Sequence, residues 1–244
     1  MAKLSVNLNK FALVRNARGE HAPDLLQIAR QCIKHGVHGI TVHPRADGRH
    51  ILYSDVHDLA KLVKQYPQIE LNVEGYPTAE FIALINKVKP AQVTLVPDAP
   101  EQLTSDHGWQ LHGSQELLTK VISQFDKQVR VSLFIDRAAA NLALAKQVGA
   151  TRIELYTQDY ARAFAARNLD TLKTVLTSYQ QTAKQASDLG LAVNAGHDLN
   201  LSNLHYLLTN IQQIQEVSIG HALVIEAWEY GLAATLRQYL SKLA

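Results

Sequence analysis

The sequence predicts an α/β protein folded as a single (β/α)8 barrel of the TIM type with extra helices, and three observations carry that prediction. Eight short apolar runs alternate with stretches whose apolar residues recur at helical spacing. The chain has 244 residues, close to the roughly 250 residues typical of such a barrel. The structural alternative is a doubly wound open sheet, but no GxGxxG turn follows the first run, which favours closure into a barrel.

The eight predicted strands follow one another along the whole chain. They cover residues 4 to 9, 39 to 43, 69 to 75, 91 to 97, 129 to 136, 152 to 157, 190 to 196 and 216 to 221. Pro23 and Asp24 predict the start of the first long helix, and Gly36, Gly149 and Gly190 predict helix ends. The longest connection, from about Asp159 to Leu189, predicts a helix plus an additional helical segment. Because no linker or composition shift divides the chain, we expect one domain over residues 1 to 244.

Composition narrows the choice of partners. The formal net charge is +2 and the 24 basic residues are spread along the chain, so neither a nucleic acid nor a membrane surface is expected as a partner, whereas a small anionic substrate is compatible. The one cysteine, Cys32, lies in a helical pattern that predicts a buried packing role. The first ten residues have no apolar signal region and no apolar run approaches the ~18 residues of a membrane span. We therefore expect a soluble protein in the reducing cytoplasm.

Polar residues gather where the predicted strands end, which is where barrel enzymes carry their active sites. The ends of seven strands supply them: Asn7, Asn9, Lys10, His43, Arg45, Glu74, Asp136, Glu154, Asn194, His197 and His221. Asp136 and Glu154 could equally pair with arginines below the rim, so they are left outside the predicted catalytic set. The strand interiors are mostly Val, Ile, Leu and small residues, which predicts an apolar, packed barrel interior.

The last two strand ends carry a second signal. Gly220 and His221, and likewise His197 and Asp198, stand where a helix is expected to begin, and exposed N–H groups at a helix start favour phosphate. Metal binding is not predicted. His43, His50 and His57 recur every seven residues, but neither a His-x-His pair nor a His-Glu-x-x-His helix is present to bring ligands together.

Four sequence blocks together resemble the pyridoxine 5'-phosphate synthase family over the full length of the chain. The blocks cover residues 6 to 19, 39 to 51, 132 to 136, and 193 to 199 with 218 to 222. The resemblance implies condensation of 3-amino-2-oxopropyl phosphate with 1-deoxy-D-xylulose 5-phosphate, giving pyridoxine 5'-phosphate, inorganic phosphate and water. It also implies small phosphorylated substrates, no metal or organic cofactor, and a homo-octamer.

The resemblance also implies roles for individual residues. His43 and Glu74 match the family's proton acceptors, and His197 matches its proton donor. The aminoketone phosphate is assigned to Asn7, Arg18, Gly220 and His221. The deoxysugar phosphate is assigned to Arg45, His50 and Thr104.

The chain departs from the usual family pattern at three of its predicted substrate contacts. Asn9 and Lys10 stand where aspartate and histidine are usual, and Asp198 stands where glycine commonly follows the donor histidine. Asn9 keeps an acceptor but loses a charge. Lys10 is expected to be a charged hydrogen-bond donor, with an imine to a ketone substrate as the alternative. Asp198 can offer its backbone N–H to phosphate, but its carboxylate should weaken anion binding unless it points away or caps the next helix.

Two other functions remain open at this point. The first is a related barrel isomerase or aldolase that kept the phosphate site but changed its substrate at Asn9 and Lys10. The second is a non-catalytic protein that binds a phosphorylated metabolite. His43, Glu74 and His197 favour catalysis, because binding alone requires no acid/base groups.

Overall fold

The computed structural model describes residues 1–19, 21–98 and 105–243 of the chain. Eight parallel strands close into a barrel in sequence order, which confirms the predicted fold class. The strands are β1 (Lys3–Asn7), β2 (Gly39–Val42), β3 (Glu70–Gly75), β4 (Gln92–Leu95), β5 (Arg130–Ile135), β6 (Arg152–Tyr156), β7 (Ala192–Gly196) and β8 (Ile214–Ile219). Each falls on a predicted run. The first is shorter than expected, because Asn9 already belongs to a helix.

Eleven helices lie within the described residues and surround the barrel. They are α1 (Asn9–Arg18), α2 (Leu25–Lys34), α3 (Tyr53–Val63), α4 (Ala79–Val88), α5 (Leu111–Ile122), α6 (Ala143–Gln147), α7 (Gln158–Ala165), α8 (Leu169–Asp188), α9 (Leu204–Asn210), α10 (His221–Tyr230) and α11 (Leu232–Ser241). Two helices follow each of β1, β6 and β8. The helix and the additional helical segment that were predicted between residues 159 and 189 are α7 and α8.

Helix α2 shows how local sequence determines these elements. Asp24 is its N-cap, and the carboxylate accepts hydrogen bonds from the N–H groups of Leu26 at 2.8 Å and Gln27 at 3.3 Å. Such a cap is worth about 1 kcal/mol. Ile28 and Cys32 lie on the face of α2 that is buried against the barrel, and burial raises the pKa of the Cys32 thiol to about 12. Cys32 is therefore a packing residue, as its position in the helical pattern predicted.

The expectation of an apolar barrel interior was wrong. Val, Ile and Leu of the strands form the core between the barrel and the helices, whereas the positions that alternate with them are polar and buried. The hydroxyl oxygens of Ser5 and Thr41, on the paired strands β1 and β2, lie 2.6 Å apart, and the Thr94 hydroxyl donates to the Asn72 side chain at 3.0 Å. Successive strand residues face opposite sides of a sheet, so runs that read as apolar carry a second, polar face.

Polar contacts also fill the lower part of the barrel. Asn194 donates to Gln92 and to Glu216, each at 3.4 Å, and Arg152 donates to Asn194 at 3.0 Å. Asn194 was expected at the rim, but these contacts engage it inside the barrel. Candidate catalytic residues are therefore to be sought nearer the carboxyl ends of the strands. Among the described residues, no helix is both long enough and apolar enough to cross a membrane.

Candidate active site

A cavity of about 470 Å³ opens at the carboxyl ends of the barrel strands. Such a volume lies within the range of small-molecule sites. Most of the predicted site residues line it: Asn7, Asn9, Lys10, His43, Arg45, His50, Glu74, His197, Asp198, Gly220 and His221. The barrel therefore brings together, from five strands and the segments that follow them, side chains that are up to 214 positions apart, from Asn7 to His221.

His43 directly follows β2 and is only 7% exposed. Its backbone N–H donates to the Asn9 side-chain oxygen at 2.8 Å, which fixes the strand end against α1. Burial lowers the pKa of His43 to about 3, and the nearby His50 and Arg45 add to the effect. The imidazole is therefore neutral at neutral pH, the form that can accept a proton.

Two buried glutamates line the cavity from strands that are not neighbours, Glu74 on β3 and Glu154 on β6. Burial raises the pKa of Glu74 on β3 well above its usual value, and the charges of Glu154 and Asp98 raise it further. Burial likewise raises the pKa of Glu154 on β6 to about 8, with a further contribution from Glu216. A carboxyl whose pKa is raised in this way keeps its proton to a higher pH than an exposed glutamate does, so both groups can donate as well as accept protons.

Glu154 had been left outside the catalytic set, and the structure gives a reason to reconsider it. Within the described residues it makes no ion pair with an arginine, and it lines the cavity. A Cβ added at Gly196 would come within 2.4 Å of its carboxyl oxygen, so this glycine provides the room that Glu154 occupies. By contrast, Asp136 accepts a hydrogen bond from the Gly108 N–H at 2.9 Å and has a structural role.

His197 and Asp198 form an unusual turn directly after β7, so the prediction that a helix begins here was wrong: α9 begins only at Leu204. Their φ angles are +83° and +59°, the left-handed region that favours glycine. Aspartate tolerates this region better than most residues, which explains how it can replace a glycine here. The Asp198 carboxylate lies 3.2 Å from Nδ1 of His197, and this close contact holds the pKa of Asp198 below its usual value. The carboxylate is thus engaged with His197, where it favours a proton on Nδ1 and leaves Nε2 for chemistry.

Cationic groups lie on the side of the cavity formed by the segments after β1 and β2. Arg45 is 8% exposed and forms an ion pair with Asp98 at 2.9 Å. Ser105 also donates to Asp98, at 2.8 Å. Lys10, in the first turn of α1, lies close enough to His50 to help lower its pKa to about 4, after the larger effects of burial and Arg45. Two permanent positive charges beside two neutral imidazoles suit a phosphorylated ligand.

Residues of the 6 to 19 block hold the loop that carries His50. Arg15 binds both carboxylate oxygens of Asp55, at 2.7 and 2.8 Å. Asn16 donates to the carbonyls of Gly48 at 3.2 Å and His50 at 2.7 Å. This supporting role was missed from sequence, because it depends on α1 and the loop after β2 being neighbours in space.

The neighbouring side of the cavity is formed by β1 and the start of α10. Asn7 donates to Glu74 at 3.4 Å and accepts from the N–H of Asn9 at 2.9 Å. A Cβ at Gly220 would approach the Asn7 Cβ to 3.0 Å, so glycine permits this close contact. Gly220 is the N-cap of α10 and His221 its first residue, and the first N–H groups of a helix have no partner within it. The predicted helix start is therefore present and faces the cavity.

Two predicted substrate contacts are not found among the described residues that line the cavity. Arg18 is exposed at the last position of α1 and does not line the cavity. Thr104 lies outside the described residues. Besides Glu154, the cavity lining includes Asp98, Arg49, Phe134 and Gln158, none of which was predicted as a substrate contact. Among the described residues no group of three or more His, Cys, Asp or Glu side chains is arranged to hold a metal ion.

Comparison with known proteins gives a consistent result. The family model of pyridoxal phosphate biosynthesis protein PdxJ matches residues 4–244. The pyridoxine 5'-phosphate synthase of Cytophaga hutchinsonii is 49% identical over 244 residues, which cover 100% of this chain and 99% of that protein. The pyridoxine 5'-phosphate synthase of Porphyromonas gingivalis is 46% identical over 245 residues, with complete coverage of both chains.

Solved structures resemble the chain in fold alone. A chain from Aquifex aeolicus VF5 aligns with a TM-score of 0.66 at 14% identity, covering 99% of this chain and 92% of that one. The phosphoribosyl anthranilate isomerase of Thermotoga maritima aligns with a TM-score of 0.59 at 12% identity, covering 100% and 98%. Both support the barrel architecture.

Proposed function

The chain belongs to the PdxJ family of pyridoxal phosphate biosynthesis proteins, and we propose that its cavity condenses 3-amino-2-oxopropyl phosphate with 1-deoxy-D-xylulose 5-phosphate by acid/base catalysis. The products are pyridoxine 5'-phosphate, inorganic phosphate and water, so the chain is an enzyme of vitamin B6 biosynthesis. The observation that carries the assignment of the chemistry is the meeting of His43, Glu74 and His197 in one cavity beside cationic groups.

The ring-forming reaction requires imine formation, phosphate elimination, proton removal beside a carbonyl or imine, ring closure and dehydration. His43 is neutral and buried, so it serves as a base without first losing a proton to solvent. Burial raises the pKa of Glu74, so this carboxyl can donate a proton, for example to a departing hydroxyl, and can act as a base once it has done so. His197 donates a proton from Nε2 in its doubly protonated form, in which Nδ1–H faces the Asp198 carboxylate. Each such group contributes about 10²- to 10⁴-fold.

Two phosphate subsites follow from the charges around the cavity. Lys10, Arg45 and His50 take the deoxysugar phosphate, with Asn9 supporting His43 beside them. Asn7, Gly220 and His221 take the aminoketone phosphate at the start of α10, where partial positive charge and free N–H groups favour an anion. Asp198 contributes to that subsite through its backbone. The family resemblance also assigns Arg18 and Thr104 to the two phosphates, and these two remain proposals from the resemblance alone.

The assembly and location of the protein are also part of this proposal. We expect a homo-octamer, as the family resemblance implies. Exposed apolar side chains on α1 (Leu13, Val14) and α10 (Ile225, Trp228, Tyr230) support self-association. A cytoplasmic location is proposed because the one cysteine is a reduced thiol in the core.

The decisive experiment incubates the purified protein with both substrates and follows pyridoxine 5'-phosphate absorbance and phosphate release together. We expect equal amounts of both products, formed only when both substrates are present. Conversion of a single phosphorylated sugar without the aminoketone would instead indicate an isomerase or aldolase. Ligand binding without any turnover would indicate a binding protein. As a control, the His57→Ala variant should form both products at the parent's rate, because His57 lies on α3 away from the cavity lining.

A further inference from the structure

The turn that carries His197 requires support from outside itself. His197 and Asp198 both have left-handed backbone conformations, a region that non-glycine residues rarely occupy because it is strained. Such a turn persists only when the surrounding structure holds it. The residues that hold it therefore determine where the His197 imidazole lies.

Thr157, which directly follows β6, holds the backbone of this turn. Its hydroxyl lies 2.8 Å from the Gly196 carbonyl oxygen and 2.5 Å from the His197 carbonyl oxygen. Its backbone N–H also donates to Gly196, at 3.0 Å. Thr157 is fully buried, so these bonds are shielded from competing water. On the other side of the turn, Asn203 donates to the Asp198 carbonyl at 3.1 Å.

Tyr156, the last residue of β6, contacts the imidazole itself. Its ring centroid lies 4.9 Å from that of His197 with the planes at 79°, an edge-to-face contact. The ring is fixed in turn by Phe134, whose centroid is 5.3 Å away, and the Tyr156 carbonyl accepts a hydrogen bond from the Tyr179 hydroxyl at 2.5 Å. The Tyr156 hydroxyl is buried and has no hydrogen-bond partner among the described residues. Its contact with His197 is therefore made by the ring.

We propose that Tyr156 and Thr157 are positioning residues that hold the His197 imidazole in its working orientation, Tyr156 through its ring and Thr157 through its hydroxyl. This inference rests on the proposed function of His197 as a proton donor. Neither residue lines the cavity, so neither is a substrate contact. Loss of either should lower kcat while KM changes little, because a small displacement of a reacting group can cost up to about 100-fold in rate.

The test compares two disruptive variants with their conservative partners. Tyr156→Leu and Thr157→Val should each lower kcat about tenfold or more. Tyr156→Phe keeps the ring and Thr157→Ser keeps the hydroxyl, so both should restore most of the turnover. Thr182→Val is the matched control, because it removes a buried hydroxyl that donates to the Arg137 carbonyl outside the cavity. Thermal unfolding checks that each variant is folded.

Two further measurements separate positioning from a general structural effect. In the His197→Ala background, Tyr156→Leu should cause no additional loss, because there is no imidazole left to position. Crystal structures of Tyr156→Leu and Thr157→Val should show the imidazole displaced, a result that does not depend on activity. Full turnover by the folded Leu and Val variants, or an unmoved imidazole, would overturn the proposal. Full turnover by His197→Ala alone would instead remove His197 from the proposed function.

Discussion

The fold keeps the His43 imidazole neutral at neutral pH, which is the form that its proposed role as a base requires. Its pKa is lowered to about 3 by burial, with His50 and Arg45 contributing. Arg45 remains a cation beside it, in an ion pair with Asp98. One short segment therefore places a neutral imidazole beside a permanent positive charge.

Removing these acid/base groups should abolish most of the turnover while leaving the fold intact. His43→Ala and Glu74→Gln should each lower kcat by at least about 100-fold, because a proton transfer then lacks its acceptor or donor. Product absorbance under saturating substrates measures the effect, and thermal unfolding checks the fold. A variant that forms product at nearly the normal rate would remove that residue from the mechanism.

Glu154 gives a prediction about stability that is independent of activity. Its pKa is 4.5 in the unfolded reference and about 8 in the folded protein. At pH values between 4.5 and about 8 the Glu154 carboxyl holds more protons in the folded than in the unfolded state. The stability that Glu154 contributes is therefore fully present below pH 4.5 and is lost as the pH rises towards 8. Because glutamine does not titrate, the Glu154→Gln variant does not lose stability in this way. The variant should therefore gain stability over the parent as pH rises, by up to ~1.4 kcal/mol per pH unit.

Denaturant unfolding at pH 5 and pH 8 measures this difference. Glu116→Gln is the control, since Glu116 is an exposed carboxylate on α5. A stability difference between the Glu154→Gln variant and the parent that is the same at both pH values would show that Glu154 is not held protonated by the fold.

At the scale of elements, the strands and the site differ in how far sequence predicts them. The eight strands were predictable because each is a compact apolar run between helical patterns. The polar barrel interior was not, because Ser5, Thr41 and Asn72 are small or uncharged and give weak patterns until their strands are paired. Glu154 was ambiguous for a similar reason, since only the assembled barrel shows whether an arginine is near.

The support that α1 gives to the loop after β2 was also hidden from sequence and can now be tested. Asn16→Ala removes the two hydrogen bonds that Asn16 donates to the loop, to Gly48 and His50, and the one it accepts from Arg15, each worth about 1 kcal/mol. The loosened loop should raise KM for the deoxysugar phosphate about tenfold and change KM for the aminoketone phosphate much less. Steady-state kinetics with each substrate varied in turn measures this. Asn210→Ala is the control, since Asn210 donates to the Tyr206 carbonyl on an exposed surface of α9.

At the scale of the whole molecule, barrel closure converts a linear order of residues into a single cavity. Asn7 and Gly220 are far apart in sequence, yet β1 pairs with β8 and brings them into contact. That closure was predictable from the strand count. The way in which copies of the chain associate was not predictable from sequence. The sequence pattern of a helix is the same whether an exposed apolar residue on it contacts solvent or a second copy of the chain.

The exposed apolar residues of α1 and α10 make the assembly testable. These two helices pack together, and Trp228 on α10 is 72% exposed, a large apolar surface to leave in water. If this face joins two copies, Trp228→Glu should produce a smaller species in light scattering coupled to gel filtration, because a charge would be buried without a partner. Trp228→Tyr keeps an aromatic ring and should retain the parent's mass. An unchanged mass for the folded Glu variant would place the interface elsewhere on the barrel.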